Sequence, residues 1–229
     1  MSDVPFLKKL TNLKRRKPTL VVCSGMRRSG STLQYNIVSI IVEQFMNGSR
    51  SDYTDYFGKI PSVLPTHLSV VKSHTLSGAM PKWLLEKKAT AVTCYRDVRD
   101  VVASWQAKYR RKVNFDEGMA LAQEAVSEFS EWENFKGAPI YKSKYEDFNG
   151  NITGEVSAIA KFLGVKIDNK TIAEISNQVS VDQIKSQLDS LEEKDIIREG
   201  PWAYDRHTLV HLDHLNGGGI GRYTTELDQ

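Results

Sequence analysis

The chain has 229 residues, with 31 Lys and Arg side chains against 28 Asp and Glu, and a formal net charge of +3. With 40% hydrophobic and 26% charged residues, this composition is typical of a globular domain and argues against a nucleic-acid or membrane-surface partner. No apolar run approaches the roughly 18 residues that a membrane span needs, and the stretch after the basic segment 1–17 is too short for a signal peptide. We therefore expect a single cytoplasmic domain over 1–229.

Short runs rich in Val, Leu, Ile or Tyr predict β-strands over 19–24, 68–72, 89–95 and 138–142. The first three are almost continuously apolar, which is typical of strands covered on both faces in a parallel sheet. Cys23 and Cys94 fall within these runs, so both are expected to be free thiols in the core rather than a disulfide or a metal pair.

Apolar residues at helical spacing predict helices between and after the strands, over 31–46, 116–135 and 153–163. Ser180 and Gln183 form a capping-box pattern ahead of a further helix that runs towards Leu191. Alternating strands and helices predict an α/β fold of three layers, with a mostly parallel central sheet flanked by helices, as in P-loop NTPases.

Two segments do not fit this alternation. Residues 47–65 are rich in turn formers and are expected to form a loop. Residues 190–222 contain Pro201 and several glycines, and they are interpreted as a mobile lid that ends in a glycine-rich motif.

The segment after the first strand, Ser-Gly-Met-Arg-Arg-Ser-Gly-Ser-Thr-Leu at 24–33, predicts a phosphate-binding loop. Gly25 and Gly30 have the spacing of a Walker A loop, and the helix that follows directs its N–H groups and its dipole at an anion. Ser31 stands where a nucleotide kinase has its phosphate-binding lysine, and the cation is instead Arg28. The alternative is a glycine turn whose arginines are merely solvated.

A second polar cluster follows the third strand. Arg96 ends the strand, and Ser104 lies within the next helix, which Asp97 or Asp100 begins. An arginine and a hydroxyl in these positions are within reach of one phosphate, although a surface Arg/Asp network is an equally good interpretation of this cluster alone.

A third cluster, Lys72-Ser73-His74, lies at the exit of the second strand. Lys72 and His74 are two residues apart and face the same side, at the edge where open α/β sheets bind ligands. His74 is therefore a candidate general base.

Together these clusters resemble the sulfotransferase family that uses 3′-phosphoadenosine 5′-phosphosulfate (PAPS). The loop resembles the family's 5′-phosphosulfate loop, Arg96 and Ser104 keep its eight-residue spacing, and 72–74 resembles its Lys-Thr-His segment. Further along, Tyr145-Glu146-Asp147-Phe148 resembles its Tyr-Glu-Asp-Leu segment, and 217–223 resembles its terminal glycine motif.

The resemblance implies sulfuryl transfer from PAPS to a hydroxyl or amine of a small-molecule or carbohydrate acceptor, with adenosine 3′,5′-bisphosphate (PAP) as product and no metal. It implies that His74 is the base, although members that act on protein tyrosine use a glutamate, and that Arg28 and Lys72 stabilise charge on the leaving and transferring groups. The residues implied to bind the donor are Arg27, Arg28, Ser29, Gly30, Ser31, Thr32, Leu33, Arg96, Ser104, Tyr145, Gly217, Gly218 and Gly219.

Two other functions stay open from the residues alone, a Mg²⁺-dependent P-loop kinase of a small molecule and a nucleotide-binding relative without catalysis. His207, His211 and His214 are interpreted as part of a polar lid, with a metal site as the alternative. The basic run 108–112 is interpreted as a solvated helix end, with steering of an anionic donor or acceptor as the alternative. The identity of the acceptor and the oligomeric state cannot be derived from the sequence.

Overall fold

The computed structural model of the protein describes residues 18–51, 65–200, 202–212 and 219–227. A five-stranded parallel sheet forms its centre, in the order β2-β3-β1-β4-β5. The strands are β1 (Leu20–Gly25), β2 (Ser49–Arg50), β3 (Ser69–Lys72), β4 (Ala89–Tyr95) and β5 (Ile140–Lys144). The predicted parallel sheet is confirmed, with β1 and β3 wholly buried.

The predicted loop over 47–65 is wrong at Ser49–Arg50, which pairs with β3 as a two-residue edge strand. So short a strand has too few residues to show an alternating or continuous apolar pattern. Residues 52–64 of the same segment lie outside the described residues.

Helices pack on the sheet, and the predicted ones over 31–46, 116–135 and 153–163 each end within one residue of the observed bounds. The helices are α1 (Ser31–Phe45), α2 (Met80–Leu85), α3 (Val98–Tyr109), α4 (Phe115–Asn134), α5 (Tyr145–Phe148), α6 (Ile152–Phe162), α7 (Asn169–Gln178), α8 (Val181–Asp189) and α9 (Tyr223–Glu226). Helix α7 escaped prediction because its sequence is largely polar and Ile175 is its only fully buried residue.

The central strand divides the core into two halves. Val21 and Cys23 of β1 pack with α1, α6 and α7 on one face of the sheet. Leu20 and Val22 pack with α2 and with Trp132 of α4 on the other face. Because burial of each large apolar side chain contributes about 1.5–3 kcal/mol, this double-sided packing fixes the strand whose end carries the phosphate loop.

Both cysteines are free and buried, as predicted. Burial raises the pKa of the Cys94 thiol to about 12, and it also raises the pKa of Cys23. Both thiols therefore stay protonated at neutral pH and are unreactive.

Part of the predicted lid forms an antiparallel hairpin of β6 (Ile196–Glu199) and β7 (Trp202–Asp205), after a 3₁₀ turn at Glu193–Asp195. Tyr204 of β7 also pairs with His211. Whether this segment moves as a lid stays a prediction. In the part of the chain that the structure describes, no helix is both long and apolar enough to cross a membrane.

Candidate active site

The three polar clusters meet at one edge of the sheet. Strand β1 lies between β3 and β4, with Cys23 beside Lys72 and Gly25 beside Cys94, so the segments that follow these strands emerge together. Arg28 Nε donates to Ser104 Oγ at 3.0 Å, and Arg96 Nη1 contacts the carbonyl oxygen of Arg28 at 3.4 Å. The structure therefore brings the phosphate loop and the Arg96–Ser104 cluster into direct contact.

Two glycines give the phosphate loop its shape. Gly25 has φ 153°, and a Cβ there would lie 2.6 Å from the carbonyl oxygen of Cys94. Gly30 has φ 85°, and its Cβ would lie 2.7 Å from the ring of Tyr145. Arg28 also has a positive φ, 70°, a backbone conformation that costs a non-glycine residue about 1 kcal/mol or more.

Ser29 stabilises the loop itself. Its hydroxyl donates to the carbonyl oxygen of Met26 at 2.6 Å, and its N–H donates to the same oxygen at 3.1 Å. The side chain is fully buried. In the sequence Ser29 resembles a hydroxyl donor to phosphate, whereas in the structure both of its donors hold the turn closed.

Helix α1 begins directly after the loop with an uncapped first turn. Its N-cap is Gly30, no side chain caps its N–H groups, and no acidic residue lies in the first turn. Ser31 and Thr32 occupy that turn. The first N–H groups of α1 therefore have no side-chain acceptor, and together with the positive end of the helix dipole they can attract an anion.

His74 is buried at the exit of β3, and a hydrogen bond fixes its tautomer. Its Nδ1 lies 2.6 Å from the carbonyl oxygen of Gly25, which can only accept, so Nδ1 carries the proton and Nε2 carries the lone pair. Burial and the neighbouring charge of Lys72 hold the pKa of His74 well below its usual value of 6.5. At neutral pH the ring is neutral and can accept a proton.

Cations crowd the same edge of the sheet. Arg28 is partly buried, and burial together with the charges of Arg96 and Arg222 lowers its pKa to about 10. Lys72 and Arg96 are buried as well. Asp100 balances part of this positive charge at Arg96, and a bound anion would balance more of it.

Tyr145 contacts both Arg96 and the phosphate loop. The guanidinium of Arg96 lies 4.3 Å from the centre of the Tyr145 ring, and that ring also contacts Gly30. Leu33 packs beside Tyr145 in a small cluster with Phe148. These predicted site residues therefore lie together below the loop.

The terminal glycine motif reaches the site through Gly219, whose carbonyl oxygen accepts a hydrogen bond from Arg96 Nη2. Gly217 and Gly218 lie outside the described residues. The buried Asp100 carboxylate holds the segment that follows, accepting from the N–H of Gly221 at 2.8 Å and of Tyr223 at 3.2 Å.

Asp100 has a role that its position in the sequence does not reveal. From the sequence, Asp97 and Asp100 are alternative starts for α3, and the structure assigns the cap to Asp97, which accepts from the N–H of Arg99 at 2.9 Å. Asp100 instead lies within the helix, 3.5 Å from Arg96. It therefore joins Arg96 to the C-terminal segment, more than 120 residues away along the chain.

Helix α4 supports the site from the side. Glu128 accepts from the backbone N–H of Arg27 at 2.8 Å, and the Arg27 side chain pairs with Glu124 and Glu128. Trp132 Nε1 donates to the carbonyl oxygen of His74 at 3.2 Å. Trp132 falls within the helix predicted over 116–135, but no sequence pattern signals its contact with His74.

The basic run 108–112 is not uniformly solvated, so its interpretation as a solvated helix end is wrong for Lys108. Arg111 is exposed and pairs with Glu117 at 3.0 Å. Lys108, by contrast, is partly buried, with its Nζ 4.1 Å from the ring centre of Trp202.

The two described histidines of the C-terminal segment lie in different surroundings. His207 lies in an exposed turn, and His211 contacts the rings of Trp202 and Tyr204. His214 lies outside the described residues. Among the described residues, no group of three or more His, Cys, Asp or Glu side chains is placed to hold a metal ion.

Comparisons with known proteins identify the family and the fold. The family model for the sulfotransferase domain matches residues 18–199. No curated protein sequence matches the chain significantly.

Solved structures show the same fold at low identity. Retinol dehydratase in complex with androsterone and the inactive cofactor PAP superposes with a TM-score of 0.64 at 19% identity, covering 91% of this chain and 76% of that one. The complex of retinol dehydratase with retinol and PAP gives a TM-score of 0.61 at 19% identity, with coverages of 91% and 76%. Mouse sulfotransferase SULT7A1 complexed with PAP gives 0.59 at 14% identity, with coverages of 90% and 77%.

Proposed function

The chain belongs to the sulfotransferase family, and we propose that it transfers a sulfuryl group from PAPS to a hydroxyl or amine of a small acceptor and releases PAP. One observation carries this proposal. The neutral, buried His74 is hydrogen-bonded to Gly25 of the phosphate loop, the charges of Lys72 and Arg28 act on it, and the helix that follows the loop starts without a side-chain cap. A base next to an anion site is what attack on a bound sulfuryl group requires.

The residues fit a nucleotide with phosphates at the 5′ and 3′ positions. The first turn of α1, the glycine turn and Arg28 would hold the 5′-phosphate. Arg96 and Ser104 would hold the 3′-phosphate, which distinguishes this donor from ATP. Arg96 Nε is buried and meets no hydrogen-bond acceptor among the described residues, so it is available to a phosphate oxygen.

PAPS, when bound, supplies an activated sulfuryl group on a bridging oxygen that can leave with the phosphate. The chain supplies the base and the positive charge. His74 Nε2 takes the proton of the attacking hydroxyl or amine, and the Gly25 carbonyl stabilises the resulting imidazolium through Nδ1–H. Arg28 and Lys72 stabilise negative charge as it grows on the leaving oxygen.

The charge of these side chains is matched to a sulfuryl group. A sulfuryl group carries less negative charge than a phosphoryl group, so two cations can replace the metal ion that a kinase uses. Ser31, which stands where a kinase has its phosphate-binding lysine, agrees with a site that differs from that of a kinase. We therefore propose that turnover needs no divalent metal and that EDTA leaves it unchanged.

The test is His74→Ala, with the exposed His207→Ala as its matched control. Turnover is measured as PAP released from PAPS across a panel of phenols, alcohols, amines and sugars. His74→Ala is expected to lower kcat by at least about 100-fold, while the Kd for PAP changes by less than about twofold. The control is expected to match the wild type in both measurements.

Two results would contradict the proposal in different ways. Unchanged turnover of His74→Ala would assign the base to another residue. Failure of the folded wild-type protein to release PAP with any acceptor class would reject sulfuryl transfer itself. Thermal melts of each variant, with and without PAP, show whether a loss of turnover reflects loss of folding.

A further inference from the structure

Lys108 lies in the last turn of α3, on the side that faces the donor site. It follows Ser104 by four residues, one helical turn or about 6 Å along the axis, so both side chains project from the same face. Ser104 accepts the hydrogen bond of Arg28. Burial and the charges of Arg28 and Lys72 lower the pKa of Lys108 to about 8, which agrees with this placement.

Aromatic rings surround the Lys108 ammonium. Its Nζ lies 4.1 Å from the ring centre of Trp202, 5.1 Å from that of Trp105 and 5.3 Å from that of Tyr109. The rings of Trp105 and Tyr109 are stacked at 4.9 Å, and Trp202 meets Tyr109 edge-on at 5.4 Å. We name Trp105, Tyr109 and Trp202 the aromatic wall.

Within the described ranges, Lys108 forms no ion pair with an Asp or Glu side chain. Other cations of the molecule differ: Arg27 pairs with Glu124, and Arg111 pairs with Glu117. His211, which packs on Trp202, supplies no charge, since burial and Lys108 lower its pKa to about 3. No described Asp or Glu side chain supplies a negative charge beside Lys108, and an anionic ligand would supply one.

The donor does not account for this position. Its two phosphates are already matched by the start of α1 with Arg28 and by Arg96 with Ser104. Lys108 lies one turn beyond Ser104, next to flat apolar surfaces that suit an aromatic ring better than a phosphate.

We propose that the acceptor is a phenol that carries an anionic group, and that Lys108 binds this group while the aromatic wall packs against the ring. The proposal rests on the sulfotransferase function and narrows its acceptor to one class. The phenolic oxygen forms the new bond to sulfur, its proton goes to His74, and the bond between sulfur and the bridging oxygen of PAPS breaks.

The experiment compares three phenols of similar size and different charge: 3-(4-hydroxyphenyl)propanoate, its uncharged amide, and tyramine. Wild-type kcat/KM is expected to be at least about tenfold higher for the carboxylate than for the amide, and lowest for tyramine. Lys108→Gln is expected to remove the preference, and Lys108→Glu to reverse it in favour of tyramine. Lys112→Gln, at an exposed basic residue of the same run, is the control that keeps the preference.

Calorimetric titration of PAP separates this proposal from the proposed function. Normal PAP binding, together with no preference for the carboxylate in the wild type, would overturn the role of Lys108 and leave sulfuryl transfer intact. The role of Lys108 is equally overturned if only acceptors other than phenols react, or if Lys108→Gln keeps the preference. A loss of PAP affinity in Lys108→Gln equal to the loss of kcat/KM would assign Lys108 to the donor instead. Absence of both PAP binding and transfer in the wild type would reject the proposed function as well.

Discussion

The first N–H groups of α1 and of α4 have no acceptor within their own helix, and the two helix starts differ in how these groups are satisfied. At α4, Asn114 accepts from the N–H of Glu117, and the Glu117 carboxylate accepts from the N–H of Asn114 and pairs with Arg111. At α1, Gly30 offers no side chain, and the neighbouring Arg28 is crowded by other cations. The chain completes the start of α4 with its own side chains, whereas no side chain caps the start of α1, where we propose that the 5′-phosphate binds.

The other longer helices follow the pattern of α4. Side chains cap α3, α6, α7 and α8, namely Asp97, Asn151, Asp168 and Ser180. An uncapped start in a chain that caps its other long helices is therefore informative about function. Backbone N–H groups without a side-chain acceptor are therefore a stronger indication of a binding site than N–H groups that a side chain caps.

The largest effect on nucleotide binding is expected from a substitution of Arg96. Arg96→Met removes a buried charged donor from the proposed 3′-phosphate site, and we expect the Kd for PAP to rise by at least about 100-fold. The Kd for ADP, which lacks a 3′-phosphate, should change by less than about threefold. Arg198→Met, which removes an exposed arginine paired with Glu193, is the control. An equal loss for PAP and ADP would refute the assignment of Arg96 to the 3′-phosphate.

Asp100→Asn tests how the site holds the C-terminal segment. An amide can accept through only one of its two heteroatoms, so one of the N–H groups of Gly221 and Tyr223 loses its partner. We expect amide hydrogen exchange of the segment 219–227 to accelerate by about 10- to 100-fold, because a hydrogen bond to a charged group contributes about 1.5–3 kcal/mol. Asp147→Asn, at an exposed position, should leave that exchange unchanged.

Acid is expected to destabilise the fold through buried histidines. The pKa of His211 is lowered to about 3 and that of His74 lies well below 6.5, so the unfolded chain binds protons that the folded chain does not. Their contribution to stability is present above pH 6.5 and is lost as pH falls towards the folded-state values. Between pH 6.5 and 5.5 the free energy of unfolding should fall by about 1 kcal/mol for each histidine.

Urea denaturation at the two pH values measures this loss. His211→Gln is expected to reduce the pH dependence by about half, since the contribution of His211 is then removed and that of His74 remains. His207→Ala, at an exposed position, is expected to keep it. A free energy of unfolding that is constant from pH 6.5 to 5.5 would contradict the lowered pKa values.

The smallest effect is expected from a substitution at the capped start of α4. Asn114→Ala removes the side chain that accepts from the N–H of Glu117, and we expect about 1 kcal/mol of lost stability in urea denaturation. Binding of PAP should be unchanged, because α4 contacts the site through Glu128 and Trp132 at its far end. A change in PAP affinity would show that the two helix starts are coupled.

Much of the fold could be predicted because local patterns determine it. Continuous apolar runs identified the buried strands, and helical periodicity placed α1, α4 and α6 to within one residue. The phosphate loop was visible because Gly25 and Gly30 lie at a fixed spacing between a strand and a helix.

The remainder depends on contacts between residues far apart in the chain. Asp100 acquires its role from the backbone of 221–223, and Lys108 from Trp202 on a hairpin within the segment predicted to be a lid. Neither partner is near in sequence, so no spacing rule reveals it. The hydroxyl of Ser29 closes the loop in which it lies, a contact that the spacing of the loop residues does not reveal.

Isothermal titration of the purified chain with PAP and with ADP tests most directly whether the uncapped start of α1 and the Arg96–Ser104 cluster together form a site for a bisphosphorylated nucleotide. PAP is expected to bind at least about tenfold more tightly than ADP, since a single charge-assisted pair contributes about 1.5–3 kcal/mol. Equal affinities for the two nucleotides, or no heat with PAP, would contradict the existence of such a site.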